Sequence, residues 1–433
     1  MMLSLTPFDA ASILIVLAAV LGYVNFRFLH LPQSVGLTVM GALASLIIVG
    51  VDRILPAALV GVKVVAFLDG IDFQSTLLNG MLSFLLFAGA LHVDWTEMRR
   101  GRWPVLILST VGVVISTLLV GGGLYVILGF FGLSLPLVWC LVFGALISPT
   151  DPVAVMAVLG RTTVPPTLQA TVAGESLFND GVGVVIFTIV LGTALGGEAF
   201  SLPHALALFA MEAGGGIVLG LSIGWLGYWA MRSIDDYKVE VLISLAMVMG
   251  GYTLARWLGI SGPVAMAVAG LLIGNRGVAQ AMSDQTQDYL LKFWGLINDI
   301  LNAVLFLLIG LEVVAIPSDL RVLPLALVAI PMALVARAIS VLLPLVAMRP
   351  LLSLGPLAPV TLIWGGLRGG ISVALALGLP AGNERSIVLA ATYAIVLFAV
   401  IVQGGSIETV LGWQTRRLVT ASEEPMVPRD KPD

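Results

Sequence analysis

Apolar residues in this chain neither alternate with polar ones nor keep to one helical face. They run on for about twenty residues at a time and are then cut by charged or proline-marked breaks. The runs fall at roughly 10–28, 34–50, 72–91, 104–130, 135–159, 167–195, 205–231, 239–258, 261–275, 290–314, 322–348, 359–380 and 386–410. A helix of about twenty residues crosses a hydrocarbon core of about 30 Å. The pattern therefore predicts an all-α polytopic membrane protein with about thirteen transmembrane helices. Residues 54–68 are apolar but carry Gly61 and Lys63, which suits a short re-entrant or interfacial helix. The first run lacks a basic leader and a small-residue cleavage site, so it reads as a retained helix. Residues 1–420 form a single transmembrane unit on this reading. Residues 421–433, rich in proline and charge, read as a short disordered cytoplasmic tail.

Composition agrees with this and narrows the function. The 433 residues are 59% hydrophobic and 11% charged, far from the quarter or so of charged residues in soluble domains. No basic cluster suggests nucleic acid, so the predicted surroundings are a lipid bilayer. The single Cys140 cannot form an intrachain disulfide and reads as a core residue. Only His30, His92 and His204 occur, with no metal-ligand cluster and no nucleophile–base pair, so neither an enzyme nor a cofactor is predicted. Basic residues collect in alternate loops: Arg27, Arg99, Arg100, Arg102, Arg161, Arg232, Lys238, Arg276, Lys292, Arg349, Arg416 and Arg417 on one side. Only Arg53, Lys63, Arg256, Arg321 and Arg385 lie on the other. Cytoplasmic loops carry the excess, which predicts the N-terminus outside and the C-terminus inside. Arg337 and Arg368 fall within spans and need partners or water.

Two runs are interrupted. In Ser148-Pro149-Thr150-Asp151-Pro152-Val153, two prolines remove backbone donors and should open the helix near Thr150. In Trp364-Gly365-Gly366-Leu367-Arg368-Gly369-Gly370-Ile371-Ser372, four glycines flank one arginine. Broken helices at corresponding positions of two halves point to an inverted-repeat secondary transporter. The repeats would be six-helix units at 10–195 and 239–410 with 205–231 linking them, and the discontinuous helices would cross near the midplane. Pro149, Pro152 and Arg368 support that crossing. The glycines also suit close helix packing, and Asp151 also suits a local helix cap.

The run at 167–195 carries Gly174-Glu175-Ser176-Leu177-Phe178-Asn179-Asp180. Glu175 and Asn179 share a helical face, as do Ser176 and Asp180. Asp180 lies about 20 Å along its helix from the cytoplasmic start, near the membrane centre. One carboxylate holds a proton or a cation but not both, the minimal chemistry of exchange. Hard alkali cations want oxygen ligands, which Asp180, Ser176, Thr150 and freed carbonyls supply. Arg337 needs a carboxylate fork, and Glu175 is the natural partner. That leaves Asp180 to titrate alone, implying one proton for one monovalent cation. Asp299 and Asn302 begin the run at 290–314 on the cytoplasmic side, where they either line a cation-attracting funnel or are simply solvated. For His92 a pH response is chemically reasonable; solvation at the interface is the plainer reading.

Ser148 to Val155, Gly174 to Asp180, Ala336-Arg337-Ala338, Gly365 to Gly369 and, more weakly, Phe306 to Leu311 together resemble the NhaP/NHE branch of the monovalent cation:proton antiporters. The resemblance covers nearly the whole chain. It implies the NhaA/NhaP-like antiporter fold, a homodimer, and a core of roughly 104–195 and 322–410 moving against the remainder. It also implies a cation and proton site at Asp180 with Asn179, Ser176, Thr150 and Asp151, and Glu175 with Arg337 as a structural ion pair. The Asn179-Asp180 pair, where electrogenic relatives carry two aspartates, supports electroneutral exchange. The expected activity is Na+ (or Li+) against H+ by alternating access, one for one, serving pH homeostasis in a bacterial or archaeal cytoplasmic membrane. The alternatives are K+/H+ exchange on the same fold and, less favoured, a cation channel.

Overall fold

The computed structural model describes residues 7–54, 76–160, 164–196, 201–315, 322–348 and 354–423. Nearly all of them are helical. In chain order the helices are α1 (Pro7–Val24), α2 (Gln33–Ile54), α3 (Leu82–Leu91), α4 (Val113–Phe130), α5 (Leu137–Ile147), α6 (Val153–Leu159), α7 (Pro166–Gly196) and α8 (Leu202–Arg232). They continue as α9 (Tyr237–Trp257), α10 (Gly262–Leu272), α11 (Asp284–Leu311), α12 (Val322–Ala347), α13 (Ala358–Trp364), α14 (Gly370–Leu377), α15 (Asn383–Phe398) and α16 (Gly404–Glu423). Short helices Trp95–Arg100 and Arg102–Ile107 lead into α4. Among the described residues, nine helical stretches are long and apolar enough to cross a membrane, and shorter apolar helices accompany them.

Side-chain caps set several of the starts. Asp236 accepts from the Lys238 N–H at 2.9 Å before α9, and Asp94 accepts from the Thr96 N–H at 2.7 Å before Trp95–Arg100. Ser283 accepts from the Thr286 N–H at 3.4 Å, so α11 begins at Asp284, ahead of the apolar run predicted from residue 290. Its first turns are polar and carry the Lys292–Asp288 ion pair at 2.7 Å. The last predicted run, 386–410, is likewise exceeded. Asn383–Arg417 is one continuous span, with the Arg417 guanidinium 4.0 Å from the Trp413 ring centre. A helix leaving the membrane keeps its backbone bonds whatever its side chains, so hydropathy understates its length. The helix continues to Glu423, so residues 421–423, predicted as disordered tail, are helical. Residues 55–68 of the predicted re-entrant segment and residues 424–433 lie outside the described residues.

Small residues bring the helices together. On α8, Gly216, Gly220 and Gly224 recur every four residues against α10, where a Cβ at Gly216 would stand 2.7 Å from the Ser261 carbonyl oxygen. On α4, a Cβ at Gly121 would stand 2.8 Å from the carbonyl oxygen of Cys140, itself buried in α5. Without a hydrophobic drive between helices in lipid, such close backbone contact supplies the association. The helix α5 stops at Ile147 and α6 begins at Val153, while α13 stops at Trp364 and α14 begins at Gly370. Both gaps fall in the core of the molecule, facing each other.

Candidate functional site

The two gaps are joined through their backbones. The Asp151 N–H donates to the Leu367 carbonyl at 2.9 Å, an isolated antiparallel bridge between two irregular segments. Arg368, only 3% exposed, turns its guanidinium onto the carbonyls that α5 leaves unpaired. Its Nη1 donates to Ser148 and, at 3.1 Å, to Pro149. The last carbonyls of a helix have no partner within it, and here a buried cation satisfies them. Its Nη2 has no hydrogen-bond partner among the described residues.

The glycines around Arg368 are required by proximity. A Cβ at Gly369 would stand 2.6 Å from the Asp151 carboxylate, and one at Gly366 would strike the Arg337 guanidinium. Asp151 itself accepts from the Val153 N–H at 2.9 Å and so caps α6. The prolines, by removing donors, leave Thr150 and Asp151 as the residues whose N–H groups can reach outside the helix.

The polar face of α7 is divided among three neighbours. Glu175, 1% exposed, receives a two-pronged contact from Arg337, Nη1 to Oε1 at 2.6 Å and Nη2 to Oε2 at 3.0 Å. Arg337 also donates to the Leu362 carbonyl from Nε at 3.1 Å and Nη2 at 2.8 Å. The pair therefore fastens α7, α12 and α13 to one another. Asn179 donates from Nδ2 to Thr150 Oγ at 2.7 Å and accepts from the Thr150 N–H at 3.3 Å, while Thr150 Oγ lies 3.1 Å from Ser176 Oγ. Asn179, Thr150 and Ser176 form one closed network that binds α7 to the first gap.

Asp180 differs from all of these. It is 7% exposed, and among the described residues no hydrogen bond or ion pair engages its carboxylate. It lies on the wall of a cavity of about 520 Å³ that also meets Thr150, Asp151, Gly369 and Ser372. The cavity continues past Asn302, Asp299 and Asn298 to His92, Asp94 and Glu97. Three further carboxylates, Asp299, Asp94 and Glu97, thus share the lining with the buried one, Glu97 paired with Arg100, and His92 is exposed, with Nδ1 2.8 Å from the Ala88 carbonyl. Negative walls of low dielectric raise the local concentration of cations.

The sequence-predicted residues Asp180, Asp151, Thr150, Asp299, Asn302 and His92 are therefore gathered around one cavity. Glu175 and Arg337 stand apart from it, and Ser176 reaches it only through Thr150. Sequence reasoning missed Glu97, Asn298 and Ser372. The Ser372 hydroxyl is buried with no partner among the described residues, as is the Asn302 amide nitrogen. Ser372 follows Arg368 by one turn on an otherwise apolar half-helix, a signal that was available.

A model of the sodium/hydrogen exchanger transmembrane family matches residues 15–413. The chain is 44% identical over 403 residues to the Na+/H+ antiporter NhaP of Pseudomonas aeruginosa, covering 92% of this chain and 95% of that one. It is 34% identical over 347 residues to the Na+/H+ antiporter NhaH of Halobacillus dabanensis, covering 78% and 83% respectively. Its fold is similar to that of the sodium proton antiporter MjNhaP1 from Methanocaldococcus jannaschii, with a TM-score of 0.72 at 20% identity over 94% of this chain and 97% of that one.

Proposed function

The chain belongs to the sodium/hydrogen exchanger family, and on that footing we propose that it exchanges Na+ for H+ across a membrane by alternating access, with both ions competing for Asp180. It is an integral membrane transporter rather than an enzyme. The observation that carries the reading is the state of Asp180: a buried carboxylate with no partner among the described residues, on the wall of a cavity beside the crossing of two broken helices. Sodium entering that cavity meets the carboxylate, with the oxygens of Thr150 and Asp151 beside it. A proton arriving there removes the charge that holds the cation.

Stoichiometry follows from the other carboxylate on α7. Both Glu175 oxygens are taken by Arg337, and Asp151 caps α6, which leaves Asp180 as the group that turns over. One carboxylate per cycle gives one sodium for one proton, and the cycle moves no net charge. Li+ serves as a surrogate for Na+.

The residues just described fall in 104–195 and 322–410, which form the moving core. The remainder, including the linking helix 205–231, acts as the scaffold. The crossing of α5/α6 with α13/α14 supports two inverted repeats, 10–195 and 239–410. The protein is a homodimer in a bacterial cytoplasmic membrane, N-terminus outside and C-terminus inside, where exchange serves pH homeostasis.

The test uses purified protein in liposomes with an internal pH dye. A sodium gradient should move protons, and protein carrying Asp180→Asn should not. Sodium entry without proton movement would make the protein a channel. Running Na+, Li+ and K+ in the same vesicles ranks selectivity. Exchange driven by a membrane potential alone would overturn the one-for-one ratio.

A further inference from the structure

A second, larger space lies on the opposite side of α7 from Asp180. It is a groove of about 1410 Å³ between α7 and the short helices before α4 on one wall and α8 and α10 on the other. Its length is apolar, lined by Phe178, Val182, Phe209, Ile217 and Leu221. Phe209 and Trp225, both on its α8 wall, are about 24 Å apart along the helix. That exceeds the roughly 15 Å depth of one leaflet's hydrocarbon.

Charge is confined to the end near Trp95–Arg100, and the hydroxyls of Ser109, Thr110 and Ser222 elsewhere in the lining bond carbonyls of their own helices. Arg99 and Arg102 line the groove there together with Trp95 and Trp103. Both arginines are exposed, and neither has an ion pair among the described residues, whereas Arg100 beside them pairs with Glu97. The Arg102 guanidinium lies 5.7 Å from the Trp103 ring centre, and Asn275 Oδ1 accepts from the Trp95 N–H at 2.8 Å, fixing the edge of the opening. Tryptophan is the residue of the membrane–water interface, so this end stands at headgroup depth. Two cations over a long apolar channel complement one class of molecule in both charge and shape.

We propose that the groove is a binding site for an anionic phospholipid, its phosphate held by Arg99 and Arg102 and an acyl chain laid along α8 against Phe178 and Val182. The chain then lies on the back of the turn that carries Asn179 and Asp180, between α7 and the linking helix. In the proposed orientation the arginines face the cytoplasmic leaflet, whose surface is anionic. The occupant is a lipid rather than a free phosphate because the apolar walls account for most of the lining.

Native mass spectrometry of delipidated full-length protein, titrated with phosphatidylglycerol or phosphatidylcholine of equal chain length, reads this directly and without any exchange assay. Phosphatidylglycerol should be retained with a preference of roughly tenfold or more, the scale of two arginines at an anionic surface. Arg99→Ala with Arg102→Ala, both exposed positions, should bring the two lipids level. Ile217→Trp, which fills the groove from an exposed position, should lower retention of both. An excess of inorganic phosphate should displace neither. Equal binding of the two lipids by the unaltered protein, or a preference that survives removal of both arginines, would overturn the proposal. So would efficient self-cross-linking of an Ile217→Cys variant in membranes, because a second copy of the chain would then occupy the groove.

Discussion

Glu175 and Asp180 lie on α7 less than two helical turns apart, and both are buried, yet their surroundings are opposite. Glu175 meets a guanidinium through both oxygens, and that guanidinium continues to the Leu362 carbonyl. Asp180 meets a cavity. Breaking a buried, fully paired carboxylate exposes an uncompensated charge at a cost of about 3–5 kcal/mol, so Glu175 behaves as a fastening. A buried carboxylate with room beside it gains by acquiring a cation or a proton, and either serves. The local sequence offers two acids in one motif; the packing gives one a guanidinium and leaves the other facing a cavity, the difference on which the proposed exchange at Asp180 rests.

The sharpest test of that division is Asp180→Asn. Proton flux driven by sodium should fall to the level of protein-free liposomes, while the melting temperature in detergent stays close to that of the unaltered protein. Glu175→Gln should show the reverse weighting, a destabilisation of about 3–5 kcal/mol seen as a lowered melting temperature. Replacing Glu175 and Arg337 together by leucine should recover most of it, since a buried pair exchanged for apolar groups is often neutral. If the single and double variants melt alike, Glu175 is not a fastening.

Arg368→Gln tests the joint between the two gaps. Loss of a charge-assisted bond worth about 1.5–3 kcal/mol should slow exchange about tenfold or more, measured as initial dye response at saturating sodium. Asn179→Ala opens the network at Thr150 without touching Asp180. It should raise the half-saturating sodium concentration severalfold, on the scale of one neutral hydrogen bond of about 1 kcal/mol, with the maximal rate less affected. The smallest effect is expected from Asp299→Asn, an increase of about twofold in half-saturating sodium at low ionic strength. It should fade as choline chloride shortens the screening length to about 8 Å.

How much of this was legible in the sequence depends on which groups do the bonding. The first gap was visible because Pro149 and Pro152 cannot complete a helix, and the second because glycines cluster around one charge. Glu175 with Arg337 was visible because a buried guanidinium demands a carboxylate. The role of Arg368 was legible only in outline, since its partners are the carbonyls of Ser148 and Pro149, and backbone acceptors leave no mark in a sequence. The engagement of Thr150 and Ser176 with Asn179 was not visible either; oxygen-bearing side chains advertise ligand chemistry and network chemistry alike. Ser372 was overlooked because a lone serine among apolar residues usually bonds its own helix, whereas here its hydroxyl has no partner among the described residues. Helix ends beyond the apolar runs, at Asp284 and Glu423, escaped because hydropathy reports the bilayer and not the backbone.

Arg368, the partner of the Ser148 and Pro149 carbonyls, also enters the charge of the whole crossing. Among the described residues at the crossing, two guanidiniums, Arg337 and Arg368, stand among three carboxylates, Glu175, Asp151 and Asp180, a formal excess of one negative charge. With sodium or a proton aboard, the centre of the protein is neutral; with neither, it carries a single negative charge in a medium where an isolated ion costs many kcal/mol. In the proposed alternating-access cycle an empty carrier is thereby penalised from crossing between its two faces, and a loaded one is not. If exchange runs through Asp180 as proposed, Arg368 bears on the coupling of the two ions by arithmetic rather than by contact with either.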